Sequence, residues 1–584
     1  MPARSTLASA VASSSSRGIT APARPTPWRC RVTRRFAPGG LALPMLVLWS
    51  VLAMIGCQPA PPTPGSGRSD ATTNGGAASS TGPSGDAQKS DVQKSDASAG
   101  PAANEPLRVL VVDDPALGQA IARQWRAHAQ QQLTIVNARS TTVDDKTADA
   151  DVMIFPSAFL GQMVVNRWIV PWPRPWQPAG DRSVATSASG TDEEYRWNDV
   201  LPFLRRQELR WGEQQYGVSF GSPLLMLLYR QDLLTAWGLE APRTWTDYLA
   251  LLPKIDEKLQ AARAAGERGE ATGIAGPVPS HATLLPLTPG WAARCLLAWA
   301  APYARHPNQY STFFQFVTME PLIARPPFER ALQELLEATR YAPEEAWTHS
   351  PDDVMRRFLA GDAVLAWSWP SAARNVDPAA EPVSNPAGGA NSVADSNAAG
   401  KPFSFGIRSL PGSTTVYQVS EARWEDRAVP GEVPLFGVAG RVGAVARRSR
   451  SPEASCNLLL WLTGQEQAAR VAAKSSFATA SRLSQLSNGA DQWVDAPLAA
   501  NATQFAAAMQ ASQQSPDALM MPRIPGETRY LDALDLAIRQ ARAGDTPPAA
   551  ALQQAAQEWT RITEEFGKDA QRKAYTESLG LTAP

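Results

Sequence analysis

The sequence predicts an α/β protein built on a parallel sheet, and three runs near the start of its folded body carry that prediction. Leu107 opens LRVLVV, an apolar run of strand length closed by Asp113, Asp114 and Pro115. LTIVNA at 133–138 and ADVMIFPS at 150–157 read as two further strands. Between the first two, Leu117, Ile121, Trp125 and His128 recur on one face of a helix. The order is β-α-β-α-β, because parallel neighbours need a crossover that is usually helical. Ligands of such sheets collect beyond the carboxyl ends of the strands, which marks Asp113, Asp114, Phe155 and Ser157 as the first candidates.

At 584 residues with 44% apolar residues, the chain can bury more than one core. Seven of its 55 basic residues are arginines within the first 56 positions, so the remainder carries 48 basic against 55 acidic groups. A mildly acidic body without a basic, aromatic-laced stripe excludes nucleic acid as a partner. Cys30 and Cys57 lie in or at the end of the leading segment, leaving Cys295 and Cys456. Cys295 sits in the apolar pattern WAARCLLAWA and reads as a small buried hydrophobe, so no disulfide framework is expected.

The leading segment has an Arg-rich start and then LALPMLVLWSVLAMIG at 41–56, which is uncharged and shorter than a comfortable spanning helix. Gly56 before Cys57 resembles the lipobox of bacterial lipoproteins, although Met54 stands where Leu is favoured. Residues 1–56 are thus expected to be a lipoprotein signal peptide, with Cys57 as the new, lipid-modified N-terminus and the membrane reached through that anchor. An uncleaved signal anchor is the alternative. Thr33-Arg34-Arg35-Phe36 resembles a twin-arginine signal with imperfect spacing, so the export route stays open. Residues 57–104 contain no aromatic residue and echo QKSDVQKSD at 88–96; they read as a disordered tether. As a flexible coil they would span about 35–40 Å. A second polar insert is expected at 373–402 and a smaller loop at 179–194.

Several longer phrases occur in one order. They are DVMIFPSAFLGQMVVNRWIVPWP at 151–173, YGVSFGSPLLMLLYRQDLLTAWGLEAPRTWTDYLALL at 216–252, FLAGDAVLAWSWP at 358–370, PLFGVAGRVGAVARRSRSPEASCNLLLWLTGQEQ at 434–467, and RIPGETRYLDALDLAIRQARAG at 523–544. Together they resemble extracellular solute-binding protein family 1, the maltose-binding-protein-like sugar-binding lipoproteins of ABC importers. The resemblance implies a periplasmic-binding-protein-like fold of class II type, two doubly wound lobes joined by hinge strands. Crossings would fall near 222–228, 434–440 and 500–520. Lobe one would take 105–225 plus 440–500, and lobe two 226–435 plus 505–584. It also implies a location outside the cytoplasm in the cell envelope, with no catalysis and no cofactor, and a monomer that holds a small polar solute, a carbohydrate, and presents it to ABC permease subunits.

A sugar offers hydroxyls and flat C–H faces, so its pocket needs aromatic plates and rims of carboxylate, amide or arginine. Trp367 and Trp369 alternate with Ser368 after an apolar run, so they share a face, and one or both should reach the cleft. Phe220, Gly221 and Ser222 precede the first crossing, where glycine permits close approach of a ligand. Trp291 opens the helix of Cys295, Arg441 lies at the second crossing, and Arg482 after FATAS is a weaker candidate. Each has a structural alternative: core packing for the tryptophans, helix capping for one of the aspartates, and a salt bridge for the arginines.

Gly217-Val218-Ser219-Phe220-Gly221 matches G-x-S-x-G, the nucleophile elbow of serine hydrolases. Here Pro223 and the apolar LLMLLY follow, not a helix, and His281, His306 and His349 stand in loop-like contexts. No metal-ligand or phosphate-loop spacing occurs, so no metal is expected. A further alternative keeps the fold but assigns it to sensing or partner binding in the envelope.

Overall fold

The computed structural model describes residues 105–173, 195–274, 277–375, 403–488 and 490–581. The signal segment, Cys57, the tether, the loop at 179–194 and residues 376–402 of the insert lie outside the described residues. All those described fall in one compact unit.

The chain enters through β1 (Leu107–Val112), which is buried along nearly its whole length, as a strand covered on both faces must be. Asp113 then takes φ +53, Asp114 caps the next helix by accepting from the Leu117 amide at 3.0 Å, and Pro115 starts it. That helix, Pro115–His128, buries Leu117, Ile121 and Trp125. His128 does not join them; it is exposed and stacks on Trp461 with centroids 4.2 Å apart.

β2 (Leu133–Ala138) and β3 (Val152–Pro156) follow, both parallel to β1. The helix expected between them is absent, and only a 3₁₀ turn at Ser140–Thr142 stands there. The segment is short and polar, and the Asp144 carboxylate accepts from the Lys146 and Thr147 amides at 3.0 and 2.8 Å. Such local bonds offer the backbone an alternative to the helix.

β4 (Val218–Ser219) closes this half, and the chain crosses to β5 (Met226–Tyr229). The helix Trp245–Glu267 opens on a capping box in which Thr244 and Asp247 bond each other's amides at 3.1 and 3.0 Å. β6 (His281–Leu284) comes next, so His281 begins a strand and does not lie in a loop. The apolar helix Ala292–Ala304 follows and buries Cys295. After it come Pro326–Thr339, Pro351–Leu359, β7 (Ala363–Ser368) and β8 (Gly406–Ser409). The second sheet runs β8-β5-β7-β6, with β5 antiparallel to both neighbours and β6 parallel to β7.

A hairpin, β9 (Ser413–Gln418) and β10 (Arg423–Gly431), leads to β11 (Leu435–Phe436) and back to β12 (Arg441–Val445). β12 inserts antiparallel between β3 and β4, so the first sheet reads β2-β1-β3-β12-β4. The last crossing is β13 (Leu519–Met520), which pairs with β11. Three helices, Glu527–Ala543, Pro548–Glu565 and Lys568–Ser578, finish the chain.

Two α/β halves joined by crossing strands are the result, the architecture of class II periplasmic-binding-protein-like folds. The G-x-S-x-G segment is not an elbow within it. Ser219 is buried in a two-residue strand, donates to Glu208 at 3.4 Å and accepts from the Gly221 amide at 3.0 Å, and the chain continues into β5.

Candidate ligand cleft between the two sheets

The carboxyl ends of β1 and β3 and the start of β12 meet at one edge of the first sheet, with Arg441 in register with Pro156. Arg441, 3% exposed, is the centre of this wall. Its Nη1 donates to the Gly440 carbonyl at 2.9 Å and its Nη2 to the Asp113 carbonyl at 2.8 Å. Nε lies 3.4 Å from Asp114 Oδ2, and the guanidinium sits 4.4 Å over the Phe477 ring. Burial pulls Arg441 below the usual arginine range, and Asp114 and Asp113 oppose that shift. Asp114 also accepts from the Ser475 hydroxyl at 2.5 Å, so it caps its helix and serves the wall at once.

From the second sheet, Trp369 follows β7 with no exposed surface and lies 4.9 Å from Trp291 and 6.1 Å from Phe477, between ring centroids. Trp291 is partly buried at the start of its helix, under the Arg294 guanidinium at 5.3 Å. Arg294 pairs with Glu527 at 3.4 Å. Burial raises Glu527; Arg294 opposes the shift, and Asp532 and Asp113 add to it. Asp535 accepts from the amides of Gly290 and Ala293, the second at 2.7 Å, and fixes the turn that holds Trp291.

Beside these rings the halves are strapped together. Arg374, in the 3₁₀ segment Pro370–Asn375, donates to the carbonyls of Ser475, Ala478 and Trp493 and pairs with Asp495 at 3.1 Å. Ser371 donates to the Ser476 carbonyl at 2.8 Å.

Of the residues singled out in the sequence, Asp113, Asp114, Trp291, Trp369 and Arg441 come together here. The others lie elsewhere. Trp367 shares a face with Trp369, as alternation requires, but packs into a ring cluster with Trp245 and Trp299 at 4.9 and 5.0 Å. Phe155 is fully buried within the first sheet, and Phe220 lies over Gly443, where an added Cβ would meet its ring at 2.9 Å. Gly221 does have φ +93, yet what approaches it is protein: a Cβ there would lie 2.3 Å from the Thr479 carbonyl oxygen. Ser222 donates to the Ala439 carbonyl at 3.0 Å, and Ser157 is buried beside Glu208. Arg482 is wholly buried, pairing with Asp199 at 3.4 Å and donating to the Thr463 and Tyr195 carbonyls.

Sequence reasoning missed Arg294, Glu527, Ser475, Phe477 and Arg374. Arg294 did leave a trace, a single charge inside an otherwise apolar helix. The others sit in loops or at element ends, where periodicity carries no information.

Among the described residues no group of three His, Cys, Asp or Glu could hold a metal ion, and no helix is long and apolar enough to cross a membrane.

The fold and the facing walls define a two-lobed binding protein of the periplasmic type. Residues 129–417 match the family described as bacterial extracellular solute-binding protein. Similar solved structures share the fold at low identity. The maltose-bound MalE3 of T. maritima is 15% identical, with a TM-score of 0.52 over 78% of this chain and 99% of that one. A ribitol-bound ABC transporter solute-binding protein from Agrobacterium radiobacter K84 is 16% identical, with a TM-score of 0.54 over 78% and 98%. A D-mannitol-bound one from Agrobacterium vitis S4 is 18% identical, with a TM-score of 0.51 over 79% and 99%. No curated protein matches the chain.

Proposed function

We propose that the protein captures a small polyhydroxylated solute, a sugar or polyol, between its two sheets and hands it to the permease subunits of an ABC importer. The observation that carries the reading is the meeting of Trp291, Trp369 and Phe477 with two arginine–carboxylate pairs at facing strand and helix ends. Rings stack on C–H faces, carboxylates accept from hydroxyls, and guanidiniums donate to hydroxyl oxygens. Lobe one is taken as 105–225 plus 440–500 and lobe two as 226–435 plus 505–584. Contacts from both lobes favour the closed arrangement, and the crossing strands absorb the rotation. The chain works outside the cytoplasm as a binding protein and not as an enzyme, tethered by lipid on Cys57.

Calorimetry over maltose, ribitol, mannitol and further sugars tests the reading. At least one is expected to bind, and Trp369→Ala to weaken it roughly tenfold through lost stacking. Silence across the panel would sink the sugar assignment, and unchanged affinity in Trp369→Ala would sink the cleft. Cys57→Ser is expected to release the protein from membrane fractions; continued retention counts against the anchor.

A further inference from the structure

A cavity of about 640 Å³ lies apart from these rings, walled by residues of segments 202–207, 305–313, 513–521 and 575–581. Its volume is that of a small-molecule site. The wall contains no aspartate or glutamate, yet it contains Arg206, Arg305 and the carboxamides of Gln207, Gln309 and Gln513.

Arg305 is the centre of its field. Nη1 donates to the carbonyls of His306 and Gln309 at 3.4 and 2.5 Å, while Nε is buried with no acceptor. Among the described residues no carboxylate pairs with Arg305. A second guanidinium stands close by: Arg427 donates to the Arg305 carbonyl at 2.8 Å, and its nearest acid, Asp517, is 3.9 Å away. Gln513, 5% exposed, accepts from the Phe203 amide at 3.1 Å, and its Nε2 has no acceptor. The wall thus carries positive charge and unpaired donors, beside one unpaired acceptor, the Gln309 Oε1. Apolar surface from Phe203, Phe313, Leu519 and Met520 completes it.

We propose that this cavity is a second binding site, for a small organic anion bearing carboxylates. A carboxylate is held by the positive charge of the Arg305 guanidinium in the wall, and the apolar wall covers the carbon skeleton. The site is separate from the sugar cleft and goes beyond that reading.

Calorimetry of the full chain with citrate at constant ionic strength tests it, with glycerol as the neutral probe. Saturable citrate binding and no glycerol binding are expected. Arg305→Gln should weaken citrate at least tenfold, whereas Arg268→Gln, which removes an exposed arginine elsewhere, should not change it. Citrate heats that sodium chloride reproduces, equal loss in both variants, or no loss in Arg305→Gln would overturn the proposal. Should Arg305→Gln fail to fold, Gln513→Glu keeps an acceptor for the Phe203 amide and places a like charge in the wall. It is expected to weaken citrate at least tenfold, and unchanged binding overturns the site. Sugar titrations of the same variants report on the cleft independently.

Discussion

Glu208 has no exposed surface and stands beside the hydroxyls of Ser222, Ser157 and Ser219. Burial raises its carboxyl above the usual range, and the serines and Arg523 offset only part of that. The unfolded chain releases this proton in the ordinary carboxylate range, so the group's stabilising contribution is complete below that range and is lost as pH rises toward the folded value. Glu208→Gln removes the dependence. Its gain over the parent in urea unfolding is expected to widen from about pH 4 to about pH 7.5, and a constant gap would contradict the assignment. Trp367 and Trp369 make the complementary test, because they share a face but not surroundings. Trp367→Ala should cost about 3–5 kcal/mol of stability as a core cavity, with sugar affinity kept in the folded fraction. Alternation in the sequence gives their common face; it cannot say where along the strand the core ends and the seam begins. The same limit hid Phe477 and Ser475, whose loop has no period, while Asp114 was marked by the end of a strand and Arg441 by the second crossing.

At the scale of elements, the strap around Pro370–Asn375 holds the halves together. Burial lowers the Arg374 guanidinium to about 10, with Asp495 opposing, so the charge is paired and wrapped in carbonyls. Removing it leaves Asp495 and those carbonyls without their donor. Arg374→Ala is therefore expected to cost on the order of 3 kcal/mol and to speed hydrogen exchange at 475–495; exchange confined to 370–375 would place the strap within one half only. Thr244→Ala should cost about 1 kcal/mol through the lost cap, read in thermal or urea unfolding. Elements were legible where apolar spacing and turn residues agreed, as in β1, closed by Asp113, Asp114 and Pro115. The expected helix between β2 and β3 failed because Asp144 satisfies local amides, a competition that strand-helix alternation does not register. The insertion of β12 between β3 and β4 is equally silent in the sequence, since pairing partners lie far apart along the chain.

For the whole molecule, the two halves close on their own side chains, with Trp369 inside the seam. A solute reaches that seam only after the halves part, so the observed rate of sugar binding in stopped-flow tryptophan fluorescence is expected to level off with concentration. A rate that rises linearly throughout would show that the seam is open before the sugar arrives. The overall two-lobed plan was the most legible level, because it rests on the order of many degenerate phrases and not on any single residue.

Arg441 draws these levels together. Its guanidinium is already engaged by the Gly440 and Asp113 carbonyls and by Asp114, which in turn holds Ser475. The chain is thus its own competing ligand: a solute gains by exchange, taking over contacts that exist before it arrives. A molecule lacking one hydroxyl displaces the internal partner without replacing it and strands a buried donor, a penalty that separates close analogues far more sharply than shape alone.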